Sequence, residues 1–176
     1  MQTTYLGGGC FWCTEAIFKN LKGVISVMPG YAGGHSVNPF YEQVCAGGTG
    51  HAEVIEVQYD ENIISFNNIL DVFFSVHDPT TLNRQGKDAG EQYRSMVLTT
   101  SSEQEKQVNA KIQELTEQKI YKNPIVTEVK PIDVFYPAEE YHRDYFAKNP
   151  DKAYCQLVIN PKLNKFKEKW KFFLKF

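Results

Sequence analysis

A cysteine at the start of a predicted helix is the strongest candidate for a reactive residue in this chain. Cys10 follows the three glycines at 7–9 and precedes the apolar segment FWCTEAIF. Free backbone N–H groups at a helix N-terminus and in a glycine turn favour negative charge, which lowers the pKa of a thiol placed there. The sequence therefore predicts a thiolate nucleophile at Cys10. The alternative is a buried structural thiol after glycines that only form a turn.

Two large aromatic residues, Phe11 and Trp12, follow this cysteine directly. In the first turn of a helix beside a reactive thiol, such rings can line a pocket for a small apolar group, for example a methyl group next to sulfur. Packing in the core is the alternative, and we expect it for one of the two. Glu15, one helical turn further on, is expected to be solvated.

The other cysteines allow redox, metal or structural roles. Cys10 and Cys13 form a CxxC motif, which is typical of thioredoxin-like redox pairs but also occurs in zinc sites. A zinc site needs further ligands at definite spacing, and the four histidines are scattered, so we predict no metal site. Cys45, in the apolar segment VCAGG, is expected to be structural. Two other functions stay open here: a disulfide oxidoreductase using Cys10 and Cys13, and a non-enzymatic zinc-binding module.

Hydrophobic periodicity and turn residues predict the elements that must position these residues. Strands are expected at 2–6, 24–31, 51–60, 94–100 and 124–135, and helices at 11–21, 65–78, 101–118, 137–150 and 162–176. Strands and helices are mixed without regular βαβ alternation, which favours the α+β class with one sheet and helices on a face. Two irregular loops, 30–50 and 79–93, have the length and composition of functional loops.

Length and composition set the outer limits of the prediction. A chain of 176 residues that is 42% hydrophobic is expected to form a single domain over 1–176 with a substantial core. Its formal net charge of −2 argues against nucleic acid as a partner. No apolar run could span a bilayer and the first residues lack signal-peptide features, so we expect a cytoplasmic location. The basic tail is expected to pack on the protein body rather than on a membrane, within a mobile segment around 149–176.

Several segments, in order, resemble the A-type methionine sulfoxide reductase family, the peptide-methionine (S)-S-oxide reductases. They cover nearly the whole chain: GGGCFWCTEA (7–16), GYAGG (30–34), YEQVCAGGTGHAEVIEVQYD (41–60), FFSVHDPTTLNRQGKDAGEQYRS (73–95), FYPAEEYHRDYFAKNP (135–150) and YCQLVINPKLNKF (154–166). The combination of GCFW with GTGHAE is the most specific part of the match. The resemblance implies an α+β two-layer sandwich with a central mixed β-sheet flanked by helices, of the ferredoxin-like type.

The resemblance also implies a role for each matched residue. Cys10 would attack the sulfoxide sulfur, and Phe11 and Trp12 would line the pocket for the substrate's methyl group. Glu53 would protonate the sulfoxide oxygen, although without the resemblance it would be expected as an exposed carboxylate at a strand end. The other implied roles are hydrogen bonds to that oxygen from Tyr41 and Tyr93, support of the site by Asp88, and resolution of the oxidised cysteine by Cys155, with Cys13 as the alternative.

The activity implied by the resemblance is reduction of methionine S-sulfoxide, free and in proteins, through a cysteine sulfenic acid. An intramolecular disulfide would then form and be reduced by thioredoxin, or by dithiothreitol in vitro, without a bound cofactor. The biological role would be protein repair under oxidative stress, by a monomer. Many relatives carry another resolving cysteine in a glycine-rich tail, but this chain has none after Cys155, so a shorter relay is expected. His142 is expected only to make packing contacts.

Overall fold

The computed structural model describes residues 1–175. Its strands are β1 (Gln2–Gly7), β2 (Val24–Ala32), β3 (Ala52–Tyr59), β4 (Arg84–Gln85), β5 (Asp88–Ala89), β6 (Met96–Thr99), β7 (Glu128–Pro131) and β8 (Phe135–Pro137). Its α-helices are α1 (Phe11–Phe18), α2 (Tyr41–Ala46), α3 (Phe66–Val76), α4 (Ser102–Glu117), α5 (Tyr145–Lys148) and α6 (Asn160–Lys169), with a π-helical turn at Cys155–Ile159 and 3-10 turns at Glu91–Tyr93, Glu140–His142 and Lys171–Phe173.

Six strands form one mixed sheet in the order β7-β6-β1-β3-β2-β8. The pairs within it are antiparallel except β6 with β7, which is parallel. The short strands β4 and β5 form a separate hairpin. A mixed sheet flanked by helices confirms the predicted α+β class.

The core lies around the central strand β3 and the helices α1 and α3. β3 lies between β1 and β2 and is buried along most of its length. α3 begins at its N-cap Ser65, whose hydroxyl accepts the Asn68 N–H, and buries an apolar face against the core. α1 packs on β2 and β3, so its first turn lies near the beginning of β3. This arrangement brings residues 10–12 close to residue 53.

Two predicted elements are wrong. The helix expected at 137–150 is a 3-10 turn followed by the short α5, because Asp144 between them adopts a left-handed φ of 53°. The strand expected at 124–135 is two strands: β7 pairs with β6 at one edge of the sheet, and β8 pairs with β2 at the opposite edge. The loop expected at 30–50 also contains α2.

The C-terminal segment folds onto α1. The π-helical turn continues directly into α6, whose Leu163 and Phe166 are buried in the main core, so the tail packs on the protein body as predicted. α6 ends at Lys169, earlier than the predicted helix, whose last residue, Phe176, lies outside the described residues. Within residues 1–175, the helices are too short or too polar to cross a membrane.

Candidate active site

Cys10 lies at the junction of β1 and α1, as the N-cap of the helix. Its carbonyl oxygen accepts the N–H of Cys13 at 3.1 Å and of Thr14 at 3.4 Å, but its thiol accepts no capping hydrogen bond from the first turn. The side chain is 8% exposed and packs in a buried cluster with Cys13, Cys155 and Ile159. Three of the four cysteines therefore meet at one place.

The glycines before Cys10 allow close packing. A Cβ atom at Gly9, whose φ is +95°, would lie 2.9 Å from the Cβ of Gln85. Gln85 in turn accepts the N–H of Asp78 and donates to its carbonyl oxygen, which ties the 79–93 loop to the end of α3. The glycine requirement thus comes from this contact and from backbone conformation.

The Glu53 carboxyl group is bound at the helix N-terminus that was expected to stabilise the Cys10 thiolate. Its Oε1 accepts the backbone N–H of Phe11, the residue after Cys10, at 3.1 Å. The side chain is 2% exposed, so the expectation of an exposed carboxylate does not hold. Burial raises the pKa of Glu53 to about 8, and the Phe11 amide only partly offsets this effect. At neutral pH the carboxyl group is therefore mostly protonated and can donate a proton.

The predicted lowering of the Cys10 pKa is wrong for the protein without substrate. Burial raises the pKa of this thiol well above its ordinary value, and Cys13 and Glu53 act in the same direction. The interaction with the Cys10 thiol, followed by the charge of Lys162, lowers the pKa of Cys13. The two thiols thus titrate as a pair. The Phe11 amide is occupied by Glu53 and is therefore not available to the Cys10 thiol.

The two aromatic residues after Cys10 differ in position: one packs in the core, and the other lies beside the thiols. Phe11 is buried in the main core, with its ring centroid 5.7 Å from that of Tyr31. Trp12 is only partly buried and lies at the edge of the thiol cluster. Its indole stacks on Tyr145 with a centroid distance of 3.8 Å and meets Tyr154 edge-on at 5.8 Å. Trp12 is therefore the aromatic side chain free to line a pocket beside Cys10.

Tyr41 and Tyr93 approach the same region from two loops. Tyr41 begins α2, and Tyr93 ends the 3-10 turn of the 79–93 loop and packs on the thiol cluster. Burial raises the pKa of both hydroxyls, and the charge of Glu53 contributes to each shift. Both therefore remain protonated donors near Glu53.

Asp88 contacts a residue that sequence reasoning missed. Its Oδ2 accepts the hydroxyl of Tyr154 at 2.7 Å. The Tyr154 hydroxyl also interacts with both Cys10 and Cys13 and lowers the pKa of each. The only signal in the sequence was its position next to Cys155. Tyr154 therefore links the 79–93 loop to the thiol cluster.

One further acid, Glu15, and one further thiol, Cys45, differ from expectation. Glu15 was expected to be solvated, but it is buried, and burial raises its pKa to about 7, against the opposite effect of Lys19 and of the Tyr145 backbone. Cys45 was expected to be a structural core thiol, but it is exposed and interacts with the Tyr41 hydroxyl. Cys155 is fully buried in the π-helical turn.

Metal ligands, disulfides and cavities bear on the two alternative functions. Among residues 1–175, no group of three or more His, Cys, Asp or Glu side chains could hold a metal ion. All four cysteines are free thiols. A cavity of about 670 Å³ opens between α3 and α6, but its lining contains none of the predicted site residues. The predicted site residues lie instead around Cys10 and Glu53.

Known proteins are similar to this chain in sequence and in fold. The family model described as peptide methionine sulfoxide reductase matches residues 2–173. Peptide methionine sulfoxide reductase MsrA from Saccharolobus solfataricus is 56% identical over 166 residues, which are 94% of this chain and 93% of that protein. Reduced Mxr1 from Saccharomyces cerevisiae has a TM-score of 0.81 at 38% identity, covering 87% of this chain and 88% of that chain. Mxr1 in complex with Trx2 gives 0.58 at 29% identity, covering 81% and 83%. This chain belongs to the peptide methionine sulfoxide reductase family.

Proposed function

We propose that this protein reduces methionine S-sulfoxide, free and in polypeptides, to methionine, with thioredoxin as the electron donor and no bound cofactor. The observation that carries the proposal is the buried Glu53, which accepts the N–H of the residue after Cys10 and whose pKa burial raises to about 8. A sulfoxide becomes a good electrophile only when its oxygen is protonated, so an acid beside a thiol is the required pair. The complex of Mxr1 with Trx2 supports thioredoxin as the donor.

The proposed first step transfers the oxygen atom to Cys10. The substrate methyl group lies against Trp12, and the sulfoxide oxygen faces Glu53 and the hydroxyls of Tyr41 and Tyr93. As Glu53 protonates the oxygen, the Cys10 sulfur loses its proton and forms an S–S bond to the substrate sulfur. The hydroxyl group then leaves the substrate sulfur and bonds to the Cys10 sulfur, and the S–S bond breaks with its electron pair left on the substrate sulfur. The products are methionine and a sulfenic acid on Cys10, and the proton lost by the thiol restores Glu53. Asp88 supports the site through Tyr154.

A second thiol then condenses with the sulfenic acid to give a disulfide and water. We assign this step to Cys13, the alternative considered from the sequence, because its thiol interacts with that of Cys10. Cys155, favoured by the resemblance, lies in the same buried cluster and is the second candidate. Thioredoxin supplies two electrons and two protons to restore the thiols.

Several broader expectations belong to the same proposal. The strands β6-β1-β3-β2, in this order and all antiparallel to their neighbours, support a ferredoxin-like core. The oxygen-transfer chemistry supports a role in protein repair under oxidative stress. We also propose that the protein acts as a cytoplasmic monomer, without nucleic acid or membrane, and that its segment around 149–176 moves during the disulfide steps.

A test with separated epimers distinguishes this function from disulfide reduction. The purified protein is incubated with methionine S-sulfoxide or R-sulfoxide and dithiothreitol, and methionine is measured. We expect turnover of the S epimer alone, and none by Cys10→Ser. Reduction of insulin disulfides without sulfoxide turnover would instead support the oxidoreductase alternative.

A further inference from the structure

A buried histidine outside the proposed chemistry contacts the pocket aromatic. His142 lies in the 3-10 turn Glu140–His142 and is 0% exposed. Its Nδ1 accepts the indole N–H of Trp12 at 2.9 Å. Because an indole nitrogen can only donate, Nδ1 must be unprotonated, and the ring proton must be on Nε2. His142 is thus a neutral imidazole with a fixed tautomer.

The other ring nitrogen of His142, Nε2, is buried without a stabilising contact. Within residues 1–175, Nε2 has no hydrogen-bond partner, and the nearest acidic oxygen, Oε2 of Glu139, is 4.0 Å away. A buried N–H without a partner costs free energy, whereas a phenylalanine would fill the same space without that cost. The feature that phenylalanine lacks is the acceptor at Nδ1. The useful contact of His142 is therefore the one with Trp12.

This contact restricts the in-plane motions that stacking leaves to the indole. Tyr145 covers one face of Trp12 in a nearly parallel stack, with 6° between the rings. Stacking alone permits sliding and rotation in the ring plane, because it has no directional anchor. The hydrogen bond to His142 defines the position of the indole N–H edge. The same imidazole also packs 5.0 Å from Phe11 and 4.6 Å from Tyr41, so it ties three site residues together.

We propose that His142 is a positioning residue that fixes the Trp12 indole and so makes the pocket selective for a methyl group over larger alkyl groups on the sulfoxide. The proposal rests on the proposed function, since it concerns the same substrate pocket. If the anchor is lost, the indole can slide on Tyr145, and the pocket accepts an ethyl group more readily while holding a methyl group less well.

The contact depends on the charge state of His142. The ionisable groups facing it are Glu139, Glu42, Tyr41 and Tyr141; burial lowers the pKa of His142, against the opposite effect of the two glutamates. Protonation would place an N–H at Nδ1, directly facing the indole N–H, and abolish the bond. The anchor is therefore present at neutral pH and is lost only below the ordinary range of imidazole.

The test compares His142→Phe, which keeps a ring but removes the acceptor, with His142→Asn, whose Oδ1 can take the place of Nδ1. Kinetics are measured with methionine sulfoxide and with ethionine sulfoxide. For His142→Phe we expect KM for methionine sulfoxide to rise several-fold, up to about tenfold, with a smaller change in kcat and reduced preference for the methyl substrate. His142→Asn should recover most of the KM and the preference.

Two further measurements separate positioning from general damage. In a Trp170→Phe background, fluorescence anisotropy reports Trp12 alone, and we expect it to fall in His142→Phe but not in His142→Asn. In a Trp12→Phe background, His142→Phe should have little further effect on KM, as expected for residues that act through one contact. Unchanged anisotropy and selectivity in His142→Phe, or equal losses in both His142 variants, would overturn the proposal. Wild-type protein without sulfoxide turnover would instead overturn the proposed function, since the anisotropy test needs no activity.

Discussion

At the scale of single residues, the proton on Glu53 decides what this site can do. A carboxylate in water would be ionised at neutral pH, but burial among apolar groups raises the pKa of Glu53 to about 8. The same burial disfavours the Cys10 thiolate. We therefore propose that the site holds a neutral acid beside a neutral thiol, and that the nucleophile forms as the proton moves to the sulfoxide oxygen.

Replacement of Glu53 by glutamine should remove the acid while keeping its shape. We expect kcat to fall by about 10²–10⁴-fold with a smaller change in KM, because proton donation acts in the transition state. Since the protonated form is needed, kcat/KM of the wild type should decline as pH rises through about 8. Pre-steady-state measurement of methionine release across pH tests both points. An unaltered rate, or the same alkaline decline in Glu53→Gln, would contradict the assignment.

The raised pKa of Cys10 predicts slow alkylation in the absence of substrate. A variant in which the other three cysteines are serine leaves Cys10 as the one thiol to label. Its reaction with iodoacetamide should rise with pH around a midpoint above about 8.5, the value of a free cysteine. Labelling of the same variant in urea gives the reference for an exposed thiol. A midpoint at or below that reference would restore the resting thiolate that the sequence predicted.

At the scale of elements, one short turn holds two site loops together. The 3-10 turn Glu91–Tyr93 carries Tyr93, and Glu91 Oε1 accepts the N–H groups of Gly48 at 2.7 Å and Gly50 at 3.2 Å. Arg94 donates to the Gly50 carbonyl at 2.8 Å and to Glu128 at 3.0 Å. The loop that leads into β3 and Glu53 is therefore fixed to the turn that presents Tyr93.

The Arg94 contacts, which clamp the two loops together, need the planar guanidinium group of an arginine. In Arg94→Lys, a single ammonium cannot reach Glu128, Gly50 and the Glu91 carbonyl together. We expect the free energy of unfolding to fall by about 1–3 kcal/mol and kcat to fall with it. Urea denaturation and steady-state kinetics measure the two effects. Arg84→Lys, at an exposed position in β4, is the matched control; equal behaviour of the two variants would contradict the clamp.

At the scale of the whole molecule, local sequence patterns predicted most helices and strands, but contacts between residues distant in sequence determine the geometry of the site. The periodicity of α3 and the alternation of β3 were sufficient to place both elements, because their burial follows from their own residues. The separation of β7 from β8 was missed, since it depends on the chain crossing from one edge of the sheet to the other. The break at Asp144 was missed as well, since the local pattern gives no sign of its left-handed φ. The Glu53 proton and the Tyr154 contact with Asp88 required residues distant in sequence, so spacing could not reveal them.

The fold also brings Cys155, from the far end of the chain, into the cluster of Cys10 and Cys13, so the order of disulfide formation is a property of the whole molecule. One equivalent of sulfoxide without reductant should give a Cys10–Cys13 disulfide, which peptide mass spectrometry identifies. Cys13→Ser should accumulate the sulfenic acid, trapped with dimedone, whereas Cys155→Ser should still form the disulfide. Cys45→Ser, at an exposed thiol, is the control. The opposite pattern, with sulfenic acid in Cys155→Ser and a Cys10–Cys155 disulfide in Cys13→Ser, would assign resolution to Cys155 instead.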